Sequence, residues 1–583
     1  MREIVWKIGG EQGQGLDSTS DVFATVCSRL GYHVYAYKTF ASRIKGGHTN
    51  FTVRVSTRRV LAPARHVHVL VVLDQEAVDR TIGDLVPGGL VLTDSSFTPD
   101  VPPGTNVISV PMIQIARELG NPVYRNMVAI GASAALLGIP LDGFRAYVAD
   151  KFGRKGAEVV QGNIEALQRG FDIAREQAGD RVFALDRGDG KPRLLMTGND
   201  ATAIGAIAGG CRLVAAYPIT PASEILEVAA KYLPKFGGAA VQMEDELSAV
   251  AVTIGAGFAG VRAMTSTSGP GISLMQENLG LASMTEIPMV VVDTQRGGPS
   301  TGMPTKHEQS DLMALIHGGH GEGPRIVLAP GTAEQIFYDT AMAFNLAENY
   351  HCPVIIASDL GLALWQQTVE DIDLDRIEID RGPLADPAEL EKLGREAFQR
   401  YAQTETGVSP RSLPGMKNGQ YLATGAEHNV FGKVSEDPKN RKQMMDRRLR
   451  KIRKLELGGK PVPGLEVSGD DRPDVLLISF GSTIGACWEA ADDLREQGLK
   501  VKVAQVRVLN PLPVAELQAL VDEAGAAFTV ENNATAQLAF LLRGNGLNGK
   551  PLRSVLKYDG TLMMADEIVA QVREALTVEG VRA

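Results

Sequence analysis

Short apolar runs rich in β-branched residues alternate with amphipathic helical stretches along most of this chain of 583 residues. Such runs include Ile4–Ile8, Val67–Leu73, Ala263–Thr267 and Met289–Asp293. Strands that are separated by helices usually pair in parallel, so the alternation predicts parallel sheets covered by helices. At about 100–200 residues per domain the chain has room for three or four domains, and we predict a multidomain α/β protein.

Composition limits the possible functions. Acidic residues outnumber basic ones, 69 to 59, and this net charge of −10 argues against general binding to nucleic acid or to a membrane surface. No apolar run approaches the ~18 residues of a membrane span, and the N-terminal sequence MREIVWKIGGEQGQG lacks the apolar core of a signal peptide. The four cysteines are far apart in the sequence: Cys27, Cys211, Cys352 and Cys487. We therefore expect a reduced, cytoplasmic chain that encodes neither a disulfide framework nor a complete metal cluster.

Changes in composition along the chain predict four regions. Residues 1–180 and 192–365 each carry a series of strand and helix patterns, and a polar linker separates them. Residues 366–460 are rich in proline, glycine and charge, and we interpret the arginine-rich helix pattern there as a solvated connector. A last α/β region, residues 461–583, completes the chain.

Two glycine-containing loops near the N-terminus favour an anionic ligand. The first, GGEQGQG, contains Gly13 and Gly15 and lies between a strand pattern and a helix pattern, where free N–H groups can meet a phosphate. The second, ASRIKGGHTNF, adds Arg43 and Lys45, a combination suited to a polyphosphate or phosphoadenosine group. A tight turn without a ligand is the alternative. A dinucleotide site is disfavoured because the spacing is not G-x-G-x-x-G and no acidic residue closes a strand about 20 residues later.

The segment from residue 217 carries a more specific pattern. Tyr217-Pro218-Ile219-Thr220-Pro221 ends a predicted strand, and its two prolines predict a sharp turn that presents Thr220 to a cleft. The sequence MEDELSAVAV follows, with Glu246 at the border of an apolar helical stripe, where a carboxylate can share a proton with a ring nitrogen. Its neighbours Glu244 and Asp245 are interpreted as surface charges at a helix N-terminus.

A third pair of motifs, TSTSGPG and TQRGGPSTG, each follows a predicted strand. The second motif places Arg296 at the carboxyl end of a parallel strand, where α/β sheets bind ligands, and a guanidinium is suited to a carboxylate. A structural salt bridge is the alternative role for this arginine.

Taken together, YPITP, MEDE, TSTSGPG and TQRGGPSTG resemble, in order and spacing, the α subunit of the 2-oxoacid:ferredoxin oxidoreductases. The segments GEQGQG and SRIKGG resemble the γ domain of this family, here fused ahead of α, and the segment near Glu531 resembles its transketolase-C-terminal-like domain. The resemblance therefore covers nearly the whole chain. It implies a γ-type domain at 1–180, a pyrimidine-binding thiamine diphosphate domain at 192–365 and a transketolase-C-terminal-like domain at 461–583.

The resemblance also implies roles for particular residues. Glu246 matches the glutamate that hydrogen-bonds the aminopyrimidine ring of thiamine diphosphate, the catalytic contact of this chain. Thr220, Arg296 and Thr305 match the substrate-binding positions, with Arg296 holding the carboxylate of the 2-oxoacid. The cofactor would lie against a turn made of Tyr217, Pro218 and Ile219. In the γ-type domain, the resemblance assigns coenzyme A to the loops with Gly13, Gly15, Arg43 and Lys45.

The motifs above do not include the one that binds the cofactor's diphosphate in this family, which implies a partner subunit. The family binds the cofactor's diphosphate and Mg²⁺ through a GDG motif followed by an asparagine, and Gly188-Asp189-Gly190 is interpreted here as an unrelated turn in a linker. We therefore expect a β subunit that brings the diphosphate site, Mg²⁺ and a [4Fe–4S] cluster, in an α₂β₂ assembly that reduces ferredoxin.

Similarity to one branch of the family implies 2-oxoglutarate as the substrate, with coenzyme A as co-substrate and succinyl-CoA and CO₂ as products. Lys306 and His307 are interpreted as outward-facing loop charges rather than contacts to a distal carboxylate. Pyruvate and branched-chain 2-oxoacids remain alternatives. So do a non-catalytic scaffold or coenzyme-A-capping subunit and, from another class, a nucleotide-dependent dehydrogenase built on GEQGQG.

Overall fold

A computed structural model describes residues 1–40, 47–394 and 397–578 of the chain. Two units divide it: the first is Met1–Thr197 together with Trp365–Ile372, and the second is the remainder. No helix of the described residues is long and apolar enough to cross a membrane.

The first unit is built on a mixed eight-stranded sheet. Its elements in the N-terminal segment are β1 (Glu3–Glu11), α1 (Leu16–Arg29), β2 (His33–Phe40), β3 (His48–Ser56), β4 (Val67–Val72), α2 (Gln75–Thr81), β5 (Leu85–Asp94), β6 (Asn106–Val110), α3 (Met112–Glu118), α4 (Tyr124–Leu136), α5 (Asp142–Phe152), α6 (Ala157–Ala178) and β7 (Leu194–Met196). Strands β1, β4, β5 and β6 pair in parallel as predicted, whereas β3 pairs antiparallel to both β1 and β2. The antiparallel hairpin follows from the short β2–β3 connection, which leaves no room for a crossover helix.

Two short strands complete this sheet: β7 and one strand from beyond the N-terminal segment. Strand β14 (Gln366–Val369) pairs antiparallel with β2 and with β7, so the order is β6-β5-β4-β1-β3-β2-β14-β7. The first unit therefore includes Trp365–Ile372 as well as Met1–Thr197. Both strands are only three or four residues long and carry little pattern of their own; β14 adds to the edge of β2, and β7 adds to β14.

A parallel sheet forms the centre of the second unit. Its first elements are α7 (Gly198–Ala208), β8 (Leu213–Ala216), α8 (Ser223–Tyr232), β9 (Ala239–Gln242), α9 (Glu246–Phe258), β10 (Ala263–Thr267), α10 (Gly269–Thr285), β11 (Met289–Gln295), α11 (Leu312–His317), β12 (Ile326–Leu328), α12 (Ala333–Tyr350), β13 (Pro353–Asp359) and α13 (Leu360–Leu364). The predicted strand at Ala263–Thr267 is confirmed to the residue. The strand order β12-β13-β11-β10-β8-β9 is parallel throughout.

The C-terminal region of the second unit has its own five-stranded sheet, ordered β17-β19-β18-β21-β22. The elements after β14 are α14 (Pro387–Lys392), α15 (Pro438–Arg450), β15 (Glu456–Leu457), β16 (Lys460–Pro461), β17 (Leu465–Gly469), β18 (Val475–Ser479), α16 (Ile484–Glu496), β19 (Val501–Val506), β20 (Val508–Asn510), α17 (Val514–Glu523), β21 (Ala526–Glu531), α18 (Gln537–Gly544), β22 (Leu552–Leu556) and α19 (Ala565–Val578). Strand β20 adds antiparallel to β12, and one apolar core runs through both sheets. The C-terminal region is therefore fastened to the parallel sheet that carries the predicted site.

Helix α15 corrects the interpretation of the connector as solvated. Arg447, Arg448 and Lys451 at its C-terminal end are 0, 2 and 3 % exposed. Both Arg447 and Lys451 make ion pairs with the buried carboxylate of Glu286. A run of basic residues is usually a solvated face, and the buried counter-charge that reverses this rule comes from a residue about 160 positions earlier, which no local pattern reveals.

Candidate active site

Three motifs meet at one edge of the parallel sheet. Strands β8, β10 and β11 are neighbours and parallel, so their carboxyl ends point the same way. They are followed by the turn 217–221, by the turn 268–271 and by Arg296, respectively. Ligands of open α/β sheets bind outside the carboxyl ends of the strands, so this edge is the candidate active site.

Arg296 links the end of β11 to the turn 217–221. Its Nη1 donates to the carbonyl oxygen of Thr220 at 2.6 Å, and its Nη2 donates to the carbonyl oxygen of Thr301 at 3.4 Å. The residue is only 7 % exposed, and its Nε has no hydrogen-bond partner among the described residues. Burial lowers the pKa of Arg296, and the charge of Asp311 opposes that effect. A buried guanidinium with an unused donor is suited to bind a carboxylate.

The turn 217–221 is open to solvent where Arg296 holds it. Tyr217 is 39 % exposed, the side chains of Pro218 and Thr220 are exposed, and Ile219 is half-buried. The Thr220–Pro221 peptide bond is cis. Helix α8 begins at Ser223, two residues after Pro221. Thr220 and Arg296, predicted from separate motifs, are therefore neighbours.

Glu246 is the first residue of α9 and is 7 % exposed. Its side chain makes no hydrogen bond or ion pair with the described residues. The preceding residue, Asp245, caps the helix. Its carboxylate accepts a hydrogen bond from the Ser248 N–H at 2.7 Å, and Ser248 Oγ accepts one from the Asp245 N–H at 3.3 Å. Asp245 is thus more than the surface charge that was expected, and it leaves Glu246 as an acid without a structural partner.

The first turn of α10 explains why TSTSGPG carries glycines. A Cβ on Gly271 would lie 2.7 Å from Cγ of Glu246 and would also clash with Oγ1 of Thr267. A Cβ on Gly269 would lie 2.7 Å from Oδ2 of Asp311. Real Cβ atoms do not approach other atoms so closely, so both positions must be glycine where Glu246 and Asp311 contact this turn.

The loop after Arg296 is tied to the C-terminal region. Thr305 lies in it, half-buried, and the Gly297 N–H donates to the carbonyl oxygen of the next residue, Lys306, at 3.0 Å. His307 is 2 % exposed, which corrects its interpretation as an outward-facing charge, and it accepts a hydrogen bond from the Gly361 N–H. Gln309 Nε2 donates to the Asp359 carboxylate at 2.9 Å, and its Oε1 accepts from Thr483 Oγ1 and the Asn532 N–H.

Two acids at this edge that have buried carboxyl oxygens were missed from the sequence. Asp293 is 0 % exposed on β11, and Asp311 precedes α11 and lies against Gly269. An acid in the otherwise apolar run MVVVDTQ is the signal that marks Asp293. No pattern near Asp311 reveals its burial, because that comes from α10, which is distant in sequence.

The first unit contains the predicted phosphate-binding loop. Gly13 and Gly15 both have positive φ, 99° and 82°, and Gly15 precedes α1. Arg125, which the sequence did not single out, donates from Nη2 to the Gln14 carbonyl oxygen at 2.9 Å. Arg43 and Lys45 lie outside the described residues. The turn Gly188–Gly190 belongs to this unit, and its Asp189 is bound by both terminal nitrogens of Arg193, which supports its interpretation as a turn.

The residues at the sheet edge fit the aminopyrimidine side of thiamine diphosphate. Glu246 supplies an unpartnered carboxylate beside the glycine turn of α10, and the absence of a Cβ at Gly271 makes room for the Glu246 side chain. A carboxylic acid in such a place can hold a proton on a ring nitrogen. No group of three or more His, Cys, Asp or Glu side chains in the described part of the chain is arranged to hold a metal ion.

Comparison with known proteins identifies the family. Residues 204–447 match the family model described as pyruvate flavodoxin/ferredoxin oxidoreductase, thiamine diP-binding; residues 5–173 match pyruvate ferredoxin/flavodoxin oxidoreductase; and residues 466–548 match the transketolase C-terminal domain. The chain is 33 % identical to 2-oxoacid:ferredoxin oxidoreductase 2, subunit alpha, of Aeropyrum pernix, with 99 % of this chain and 98 % of that protein covered. It is 31 % identical to the 2-oxoglutarate oxidoreductase subunit KorA of Mycobacterium tuberculosis, with 99 and 92 % covered.

A solved structure is similar over the same length. It is the 2-oxoglutarate:ferredoxin oxidoreductase from Magnetococcus marinus with 2-oxoglutarate, coenzyme A and succinyl-CoA bound. The TM-score is 0.91 at 37 % identity, over 98 % of this chain and 99 % of that one. The protein therefore belongs to the 2-oxoacid:ferredoxin oxidoreductases, as an alpha subunit with a fused gamma-type domain and a thiamine-diphosphate-binding domain.

Proposed function

We propose that this chain, completed by a β subunit, converts 2-oxoglutarate, coenzyme A and oxidised ferredoxin into succinyl-CoA, CO₂ and reduced ferredoxin, reversibly. The choice of 2-oxoglutarate among 2-oxoacids is supported by the ligands of the Magnetococcus marinus enzyme and by the names of relatives that are 2-oxoglutarate oxidoreductase and 2-oxoglutarate synthase subunits. The observation that carries the proposal is the meeting of Glu246, Thr220 and Arg296 at one sheet edge, with Glu246 unpaired and Arg296 only partly bonded.

Each residue has a definite task in this proposal. Thiamine diphosphate, when bound, supplies the electron sink for decarboxylation. Glu246 holds a proton at the pyrimidine ring nitrogen, and the turn Tyr217–Ile219 forms a wall beside that ring. Arg296 binds the 2-oxoacid carboxylate through its free Nε, while Thr220 and Thr305 contact the same substrate.

Coenzyme A is assigned to the first unit. The glycine loop places the N–H groups at the start of α1 where they can meet phosphate, and Gly15 is needed there because a Cβ would lie against Nδ2 of Asn126. Arg43 and Lys45 would add charge to this site. We assign Gly13, Gly15, Arg43 and Lys45 to coenzyme A on these grounds and on the family resemblance.

A β subunit is proposed to dock beside Glu246 in an α₂β₂ assembly and to bring the diphosphate site, Mg²⁺ and a [4Fe–4S] cluster. Support comes from the apolar side chains that α9 and α10 leave exposed: Leu247, Val252, Leu274 and Leu281 are 45, 37, 50 and 38 % exposed. Apolar side chains on adjacent helices are typical of a protein–protein interface.

The test is to co-produce the chain with its β subunit and to assay reduction of a viologen dye against a panel of 2-oxoacids with coenzyme A. We expect the highest kcat/KM with 2-oxoglutarate. A preference for pyruvate or a branched-chain 2-oxoacid would change the proposed substrate but leave the proposed reaction class in place. No reduction with any 2-oxoacid, in an assembly that contains the cofactor and the cluster, would overturn the proposal.

A further inference from the structure

Asp293 occupies an unusual position for an acid. It lies in β11 between Thr267 of β10 and Ala357 of β13, in the interior of the parallel sheet, and it is 0 % exposed. Neither of its carboxyl oxygens accepts a hydrogen bond from a donor of the described residues. An ionised carboxylate in such a place would be strongly destabilised, because it has lost its water and gained no donor.

Asp311 lies close to Asp293. Its main chain is anchored, since its N–H donates to Oε1 of Gln295 at 3.0 Å, and its Oδ2 lies against the α-carbon of Gly269. This Oδ2 likewise has no donor among the described residues. Asp293 is in register with Thr267, and the Asp311 carboxylate lies against Gly269, two residues further along the same connection, so the two acids are close enough for each to affect the pKa of the other. A proton held by one of them therefore supplies the donor that both lack.

The charged groups around the pair are few. Arg296 and Glu308 face Asp311 from the loop that follows β11. Strand β10 and the first turn of α10, residues 263–273, contribute no charged side chain, and the nearest acid on α9 is Glu246, across Gly271. Burial and the neighbouring Asp311 raise the pKa of Asp293 well above its ordinary value. Burial, with the charge of Glu308, raises the pKa of Asp311 to about 6.

We propose that Asp293 and Asp311 share one proton and act as a positioning pair that sets the negative charge opposite Arg296, and so controls how strongly Arg296 binds the 2-oxoacid carboxylate. The proposal rests on the role of Arg296 in the proposed function. Asp293 keeps its proton, while Asp311 ionises as the pH rises through about 6. The ionised pair then competes with the substrate for the guanidinium, so the KM for the 2-oxoacid rises with pH while kcat changes less.

The variants that test this are Asp293→Asn, Asp311→Asn and, as a control for the nearby acid, Glu308→Gln. In the assembled enzyme we expect the KM for the 2-oxoacid to rise about threefold to tenfold between pH 5.5 and 7.5, the size expected for one unit charge near the guanidinium. Asp311→Asn removes this rise. Asp293→Asn, whose amide is a neutral donor as the protonated Asp293 is, keeps the rise at about the same pH. Glu308→Gln leaves the rise in place, with its midpoint at lower pH.

A second measurement does not depend on turnover. The infrared carbonyl band of a protonated carboxyl group, recorded at pH 7 with isotopically labelled aspartate and without substrate, should lose one component in Asp293→Asn. An unchanged band would overturn the shared proton. A KM profile identical in wild type and Asp311→Asn would overturn the positioning role, although 2-oxoacid turnover in the same assay would leave the proposed function standing. If neither the wild type nor any variant acted on a 2-oxoacid, the proposed function would fail. The infrared result would then decide by itself whether the proton is shared.

Discussion

The second unit contains two kinds of buried glutamate, one without a counter-charge and one surrounded by cations. Glu246, at the carboxyl edge of the parallel sheet, has no cation or donor among the described residues. Glu286 and Glu348, where the sheet domain meets the connector, are 1 and 3 % exposed, and each is surrounded by three cationic side chains. All three acids are buried, so burial alone does not tell their roles apart.

The Glu286 cluster shows what a structural acid looks like. Lys451 Nζ lies 2.6 Å from Oε2 of Glu286 and Arg400 Nη1 lies 3.6 Å from it, while Arg447 contacts Oε1. Burial raises the pKa of Glu286, but the three cations more than offset it and bring the value down to about 2. The same crowding of cations, added to burial, lowers the pKa of Lys451 to about 8.

Glu348 repeats the arrangement with three arginines. Arg262 Nε and Arg381 Nε each donate to Oε2 at 2.9 Å, and Arg411 Nη2 donates to Oε1 at 3.0 Å. Arg381 and Arg411 belong to the connector, so this cluster fastens the connector to the sheet domain. A carboxylate with a full set of donors stabilises the fold, whereas one without donors is available for a ligand or a proton.

The largest expected effect is on the unpaired acid. Glu246→Gln should lower turnover about 10²–10⁴-fold, because an amide cannot share the ring proton. The unfolding midpoint should stay within about 1 °C of the wild-type value, since no contact within the fold is lost. Viologen reduction and thermal unfolding measure the two effects. The exposed neighbour Glu244→Gln is the control, and a normal rate for Glu246→Gln would contradict the assignment.

Substitution of Glu286, which is surrounded by cations, should instead lower the stability of the fold. Glu286→Gln leaves three buried cations without a counter-charge and should cost about 3–5 kcal/mol of unfolding free energy, measured in denaturant. The lowered pKa of Glu286 contributes stability that is present above pH ~4.5 and lost as the pH falls toward 2, so the variant should lose less stability than wild type across that window. The exposed Glu389→Gln on α14 is the matched control. Equal stability of Glu286→Gln and the control would show that the cage is dispensable.

Arg296→Ala tests the cationic residue of the candidate active site. One charge-assisted contact to the substrate is worth about 1.5–3 kcal/mol, so the KM for the 2-oxoacid should rise about tenfold to hundredfold. The KM for coenzyme A should change little. Steady-state kinetics with each substrate varied in turn separates the two, with the exposed Arg376→Ala as control. A change confined to coenzyme A would move Arg296 to the other substrate.

The smallest effect is expected at the cap of α9. Asp245→Ala removes the acceptor for the Ser248 N–H and should lower the unfolding midpoint by about 2 °C. Turnover should fall slightly as well, because the cap sets the start of the helix that carries Glu246. A rate loss as large as that of Glu246→Gln would mean that Asp245 takes part in the chemistry itself.

Much of the scaffold was predictable because it is written locally. The strands before Thr220 and Arg296 carry continuous apolar patterns, and these two residues are among the polar residues that follow them. Glu246 is marked instead by its place at the start of an apolar helical stripe. Their meeting at one edge follows from a general rule, since parallel strands end on the same side. The roles of these three residues remain predictions until the variants are measured.

Other features depended on partners far away in the chain. Strand β14 belongs to the first unit because β2 offers an edge, and Arg447 is buried because Glu286 meets it across about 160 residues. The sequence by itself determined the α/β architecture and the identity of the motif residues, since patterns of two and 3.6 residues and turn chemistry act over short range. Only the tertiary structure decided which acids are surrounded by cations and which, like Glu246 and Asp293, have none among the described residues, because burial and counter-charge are properties of the packed chain.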